Sequence, residues 1–193
     1  MDWTRLSDQI QKDIEKNMSS KRFQHTLAVM ECAKAIASHW GIAPMKAAVA
    51  ALLHDVAREW PLEKQCLYYE KANIDGFSFC AQEVPALLHG PAGSQWASDN
   101  YDIVDKDVLD AISFHTLGHP KMGDLAKIIY LSDKIEVNRT YNGVEEIRKW
   151  VEKSIDKALL LSLDQTIVYV VQKGHCLHPL TVETRNLFLH KLQ

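Results

Sequence analysis

Nine histidines stand in a chain of 193 residues, and His25, His54, His89 and His115 each fall within an otherwise apolar, helix-periodic stretch. A lone histidine in such a place is more often a hydrogen-bonded core residue than a ligand. The adjacency His54-Asp55 changes that reading, because an ionised aspartate in the run ALLHDVA is costly to bury unless it is paired or coordinates a cation. Asp133, after the apolar run AKIIYLS, poses the same question. An aspartate tied to a neighbouring arginine would also answer it. Two carboxylates sharing a cation with imidazoles answer both cases at once. The order His25, His54-Asp55, His89, His115, Asp133 therefore points to one constellation assembled from several helices. Consecutive helical positions differ by roughly 100°, so His54 and Asp55 both reach an ion only if it lies between their two faces.

Two imidazoles and two carboxylates suit a divalent transition metal, as one ion or two. The set suits Fe, Mn, Co or Zn, and its mixed nitrogen and oxygen donors fit an octahedral site with open positions better than a closed structural zinc site. Such a metal acidifies water into a nucleophile and polarises a phosphoryl oxygen. His89 and His115 then either bind phosphate oxygens and donate a proton to the leaving group, or hold a second metal bridged by Asp55. Asp55, His89 and His115 are the expected catalytic residues. Cations near these positions favour a phosphate ligand. Arg22 precedes His25 by three residues, on the same helix face, and Arg58 follows Asp55 by three. Lys134 and Arg139 follow Asp133. Arg22 and Arg139 are the stronger candidates; basic residues at helix ends are otherwise solvated or set against the helix dipole. His175, Cys176 and His178 match no closed zinc pattern and read as a turn into a helix started by Pro179.

Helical periodicity dominates the elements that must carry these groups, and strand-like alternation is almost absent. A helix from Ser19 or Ser20 turns Phe23, Leu27, Met30 and Ile36 inward and stops at Gly41. Pro44 opens a second helix, expected to run through KAAVAALLHDVAREW and to be central because it is apolar almost all round. Pro61 starts a more polar helix through Tyr69, and residues 73–90, with Asn73, Gly76, Pro85 and Gly90, read as an irregular connection with one short turn. Pro91 is expected to open a helix to about Asn100, and Asp105 to cap one ending near His115. After the break at Gly118-His119-Pro120 comes the helix GDLAKIIYLSDKIEV, then Asn142-Gly143 and a last group of helices. No internal repeat or linker stands out. The expected fold is a single all-α domain.

With 47% hydrophobic residues the chain can bury one sizeable core. A net charge of -3 argues against a general nucleic-acid binder, which needs a basic excess to neutralise phosphates. Four scattered cysteines (Cys32, Cys66, Cys80, Cys176) suit reduced thiols. The N-terminus lacks the apolar core of a signal peptide, and no apolar run is long enough to span a bilayer. A cytoplasmic protein with no membrane partner is expected. A homodimer is compatible with this, though no long apolar stripe demands one.

The H … HD … D order resembles that of the HD-domain phosphohydrolases. The strings KRFQHTLAV, AALLHDVAREWP, LLHGPAG, AISFHTLGHPKM, AKIIYLSDKIEVNR and HPLTVETRN resemble its YqeK-type subgroup, bacterial enzymes that cut diadenosine tetraphosphate into two ADP. The resemblance runs from about residue 18 to the C-terminus. It implies a helical bundle of the HD-domain type over 1–193, with a core over about 18–140 and helices of 143–193 packed on it. It also implies iron ligation by His25, His54, Asp55 and Asp133. Nucleotide contacts would come from Arg22, Asp55, His89, His115, Thr116, Asp133 and Arg139, with Arg58 as a further candidate. A stretch from Tyr169 through Lys173 and Gly174 would hold the nucleoside. The chain departs from the subgroup at Leu117 and His119, at Lys134 where an aromatic is usual, and at Val168. These changes bear on which nucleotide is preferred. Rival functions are an HD-type nucleotidase or deoxynucleotide phosphohydrolase, a di-iron oxygenase, and a nucleotide sensor that does not cut.

Overall fold

Asp2 accepts the backbone N–H groups of Thr4 and Arg5 on its carboxylate and so starts α1 (Trp3–Glu15). Ser19 caps α2 (Ser20–His39) through the Arg22 N–H, and Gly41, at φ 69°, stops it as expected. The computed structural model describes residues 1–193 apart from the side chains of Cys80, Ala81 and Gln82. Cys32, Cys66 and Cys176 are free thiols, and Cys80 lies outside the described side chains.

The second expected helix is shorter than its apolar pattern suggests. α3 spans Pro44–Leu53, and its residues 47–53 are buried throughout. It does not continue through His54 and Asp55. The His54 ring Nδ1 lies 2.6 Å from the Ala51 carbonyl, the acceptor that the Asp55 N–H would need to extend the helix. A carbonyl only accepts, so the ring donates there, and residues 54–59 tighten into turns such as Val56 N–H to Leu53 O and Arg58 N–H to Asp55 O. The constraint that two successive helical residues impose is thereby lifted.

α4 (Leu62–Ala72) ends on Asn73 in the left-handed region, at φ 46°. The connection at 73–90, expected to be irregular with one short turn, holds more helix than that. It holds α5 (Ser78–Glu83) and a 3-10 turn (Pro85–Leu88) that runs directly into α6 (His89–Tyr101). Pro91 is therefore the third residue of α6, where a missing N–H costs nothing because first-turn donors have no helical acceptor. Gly90 is a packing residue and not a break. A Cβ there would lie 2.6 Å from the Ser113 carbonyl oxygen, so only glycine lets α6 approach the next helix this closely. That helix, α7 (Lys106–Phe114), is capped by Asp105 as expected.

The remaining helices are α8 (Asp124–Ile135), α9 (Val144–Val151), α10 (Ile155–Gln172) and α11 (Pro179–Lys191). His178 caps α11 by accepting the Leu180 N–H on Nδ1. α3 and α8 are the buried centre. α2 packs on both, α6 and α7 lie on one flank, and α10 closes the other against α8, α9 and α11. All these helices feed one apolar core. No strand occurs among the described residues, and no helix is long and apolar enough to cross a membrane.

Candidate metal and phosphate site

Three of the four histidines are held by one local device. His54, His89 and His115 each follow the last residue of a helical segment, and each turns its ring Nδ1 back onto the carbonyl three residues earlier. The distances are 2.6 Å to Ala51, 2.8 Å to Ala86 and 2.8 Å to Ile112. Because a carbonyl can only accept, Nδ1 carries the proton in His54 and His115 and their Nε2 presents a lone pair, while His89 Nδ1 also has the Arg58 guanidinium 3.0 Å away. Burial pushes His54 down to about 4 and also lowers His115, against the opposing pull of Asp55, so both stay neutral near pH 7.

These lone pairs converge on carboxylates. Asp55 Oδ1 lies 3.3 Å from His89 Nε2 and 3.5 Å from His115 Nε2, while its Oδ2 lies 3.5 Å from His54 Nε2 and 2.6 Å from Arg22 Nη1. His25, on the second turn of α2, has Nε2 3.0 Å from Asp133 Oδ1 and Nδ1 3.4 Å from Glu136 Oε1. His54 belongs to both halves, since suitable ligand atoms of His25, His54 and Asp133, and of His54, Asp55 and His115, lie within 4.8 Å of one another. Burial would push both carboxyls up. Both nonetheless lie well below the usual range, and the Lys134 ammonium is the leading charge that opposes burial at Asp133.

The donor set fits a divalent cation. His89 Nε2 and His115 Nε2 are 3.1 Å apart, and the Thr116 hydroxyl, 2.9 Å from His115 Nε2 and 3.2 Å from His89 Nε2, has one proton to offer. Two nitrogens bound to one ion at about 2.1 Å on adjacent positions would be separated by roughly 3 Å. His54 Nε2 is buried without a hydrogen-bond partner. Buried lone pairs and carboxylates in excess of protons call for positive charge.

A cleft of about 620 Å³ opens over this cluster. At its floor are Asp55, Asp133, His89, His115 and Thr116, and four cations stand around them: Arg22, Arg58, Lys134 and Arg139. Arg139 Nη2 reaches Asp133 Oδ1 at 2.8 Å, and Lys134 Nζ reaches Asp133 Oδ2 at 3.0 Å. Arg58 donates to the Ala86 carbonyl and so lies against His89. The other end is less charged, with Tyr141, Gln165, Thr166, Tyr169 and Val170. Lys173 and Gly174 do not line it. Lys173 sits one turn, about 6 Å, beyond Tyr169 on the same face of α10, and Gly174 at φ 66° turns the chain away.

Glu136, Tyr141, Gln165 and Arg148 escaped the sequence reading. Each sits outside the H … HD … D order, and Glu136 carried a signal only as a carboxylate three residues from Asp133. Arg148 acts at a distance from the cleft. Its guanidinium donates to the carbonyls of Ile135, Glu136 and Arg139 at 2.9, 2.7 and 3.0 Å, and so seals the end of α8 and sets the turn that carries Arg139. Arg148→Met is expected to lower stability by roughly 2 kcal/mol, because three carbonyls lose a charged donor. It should also raise KM for a phosphate substrate; denaturant unfolding and steady-state kinetics check the two effects.

The HD domain family model matches residues 22–138. A protein of Halalkalibacterium halodurans named bis(5'-nucleosyl)-tetraphosphatase, symmetrical, is 37% identical over 177 residues, which is 91% of this chain and 93% of its own length. A protein of the same name from Bacillus subtilis is 35% identical, over 90% of this chain and 92% of its own. A crystal structure from Clostridium acetobutylicum, titled a predicted HD superfamily hydrolase involved in NAD metabolism, matches with a TM-score of 0.88 at 39% identity, covering 95% of this chain and 97% of that one. The histidine and carboxylate cluster lies inside the matched segment, the helical fold is that of the solved relative, and the chain belongs to the HD domain family.

Proposed function

We propose that the chain is a metal-dependent phosphohydrolase that cuts diadenosine tetraphosphate symmetrically into two ADP. The observation that carries this reading is the meeting of imidazole lone pairs and two carboxylates with Arg22, Arg58, Lys134 and Arg139 in one cleft. The names of relatives aligned nearly end to end supply the substrate. His25, His54, Asp55 and Asp133 would hold the metal, with iron as the proposed native ion. When bound, the metal supplies a Lewis acid for a phosphoryl oxygen and acidifies an attacking water.

The protein's own groups do the rest. Arg22 and Arg139 neutralise charge that spreads over the reacting phosphate, which is the main demand of phosphoryl transfer. ADP needs little help as a leaving group, since the second phosphate pKa is near 6. His89 and His115 are therefore assigned as ligands or proton acceptors. With its Nδ1–H committed to Ile112, His115 has no ring proton to give a leaving group. Tyr141, Tyr169 and Val170 offer the apolar surface for a nucleoside. Gln165 Oε1, buried without a partner, is placed to accept an exocyclic amine. Gln165→Leu is expected to raise KM about tenfold with little change in kcat, the signature of lost ground-state binding.

The test is chromatography of the products from protein purified without oxygen. ADP as the sole product, two per substrate, is expected. ATP with AMP, or released phosphate, would overturn the symmetrical cut. Tight binding without any product would instead favour a sensor.

A further inference from the structure

Arg22 and Arg139 line two clefts. Besides the one described above, they form part of the wall of a second, of about 800 Å³, bordered by His25, Lys21, Gln24 and Asn138. Two carboxylates also border it, and both are engaged. Glu59 accepts the Ser19 N–H at 2.8 Å and its hydroxyl at 2.6 Å. Glu136 accepts the Asn138 N–H at 2.6 Å and faces His25. Lys21 and the side-chain amides of Gln24 and Asn138 have no partner among the described residues. Among the described residues no Phe, Tyr or Trp lines this cleft, whereas Tyr141 and Tyr169 line the first.

A substrate that is the same on both sides of the bond that breaks needs room for two equal halves. In an in-line displacement the leaving half departs opposite the attacking oxygen. The first cleft has the size of a site for one small ligand and ends at the carboxylate cluster. The shared arginines are the one feature that touches both clefts and the cluster together, through Asp55 and Asp133. We infer that the second cleft binds the other nucleotide half of the substrate, an inference that rests on the hydrolase reading above. Arg22 and Arg139 bridge the phosphates on either side of the cut, and Lys21 meets those of the second half. Gln24 and Asn138 hydrogen-bond its ribose. Its base finds no Phe, Tyr or Trp as partner and is read little, so the two halves are recognised by different chemistry.

The experiment compares kcat/KM for diadenosine tetraphosphate with that for adenosine 5'-tetraphosphate, which keeps the phosphate chain and lacks the second nucleoside. Wild-type protein is expected to prefer the dinucleotide. The double variant Gln24→Ala, Asn138→Ala removes two exposed amides and is expected to shrink that preference roughly five- to tenfold. A wild-type protein with no preference, or a double variant that keeps the full preference, overturns the second subsite while leaving the hydrolase reading intact. A wild-type protein that yields no ADP from the dinucleotide removes the hydrolase reading, and the subsite with it.

Discussion

Asp55→Asn is expected to lower kcat/KM for diadenosine tetraphosphate by roughly 10²- to 10³-fold and to reduce the metal that the protein retains. The substitution keeps the volume and removes the charge. Asp55 meets His54 and Arg22 through one oxygen and His89 and His115 through the other, so it joins the imidazoles to the cations of the cleft. Asp55 acts through the cation it would help hold and the groups it positions, and loss of one preorganised electrostatic contribution costs roughly 3–4 kcal/mol, each 1.36 kcal/mol being a factor of ten. The asparagine also points an uncharged amide at lone pairs that need positive charge. Metal analysis by mass spectrometry, beside kinetics and a far-UV circular dichroism control, separates this loss from unfolding. Turnover within tenfold of wild type at full metal content would remove Asp55 from the site.

Gly90→Ala is the second large effect, and it acts without touching any charged group. The added methyl would stand 2.6 Å from the Ser113 carbonyl oxygen and 3.3 Å from that of Ile112. Both are backbone atoms near the end of α7, so α6 must move away. Overpacking of this kind costs roughly 1–3 kcal/mol. The displacement falls on His89 and His115, whose Nε2 atoms are 3.1 Å apart at the ends of these two helices. A lower midpoint of thermal unfolding and a fall in kcat of about 10²-fold are expected, since shifts near 1 Å at a reacting site carry that penalty. Gly90→Ser should behave in the same way.

The apolar spacing made the helices legible. Ser19, Gly41, Pro44 and Asp105 fix ends where capping and steric rules apply locally, and the structure has helix boundaries at each. Those rules could not reveal where a side chain takes over a backbone acceptor. His54 ends α3 through its own ring although the apolar pattern continues past it, and His115 follows α7 in the same way. Gly90 reads as punctuation in a sequence because close approach between helices is a tertiary fact. The histidines and aspartates of the site were legible by type and order. Glu136 and Gln165 were not, because a glutamate beside His25 or a glutamine over the cleft looks like any exposed polar residue until the helices are packed. Lys173 and Gly174, which the resemblance offers for the nucleoside, do not line the cleft that Tyr169 lines.

The most direct measurement is the metal content and turnover of one preparation before chelation, after it, and after anaerobic addition of Fe(II). Turnover should vanish as the divalent transition metal is stripped and return with one or two ions bound per chain. Undiminished cleavage of diadenosine tetraphosphate by metal-free protein would contradict a site in which imidazoles and carboxylates work through a shared cation.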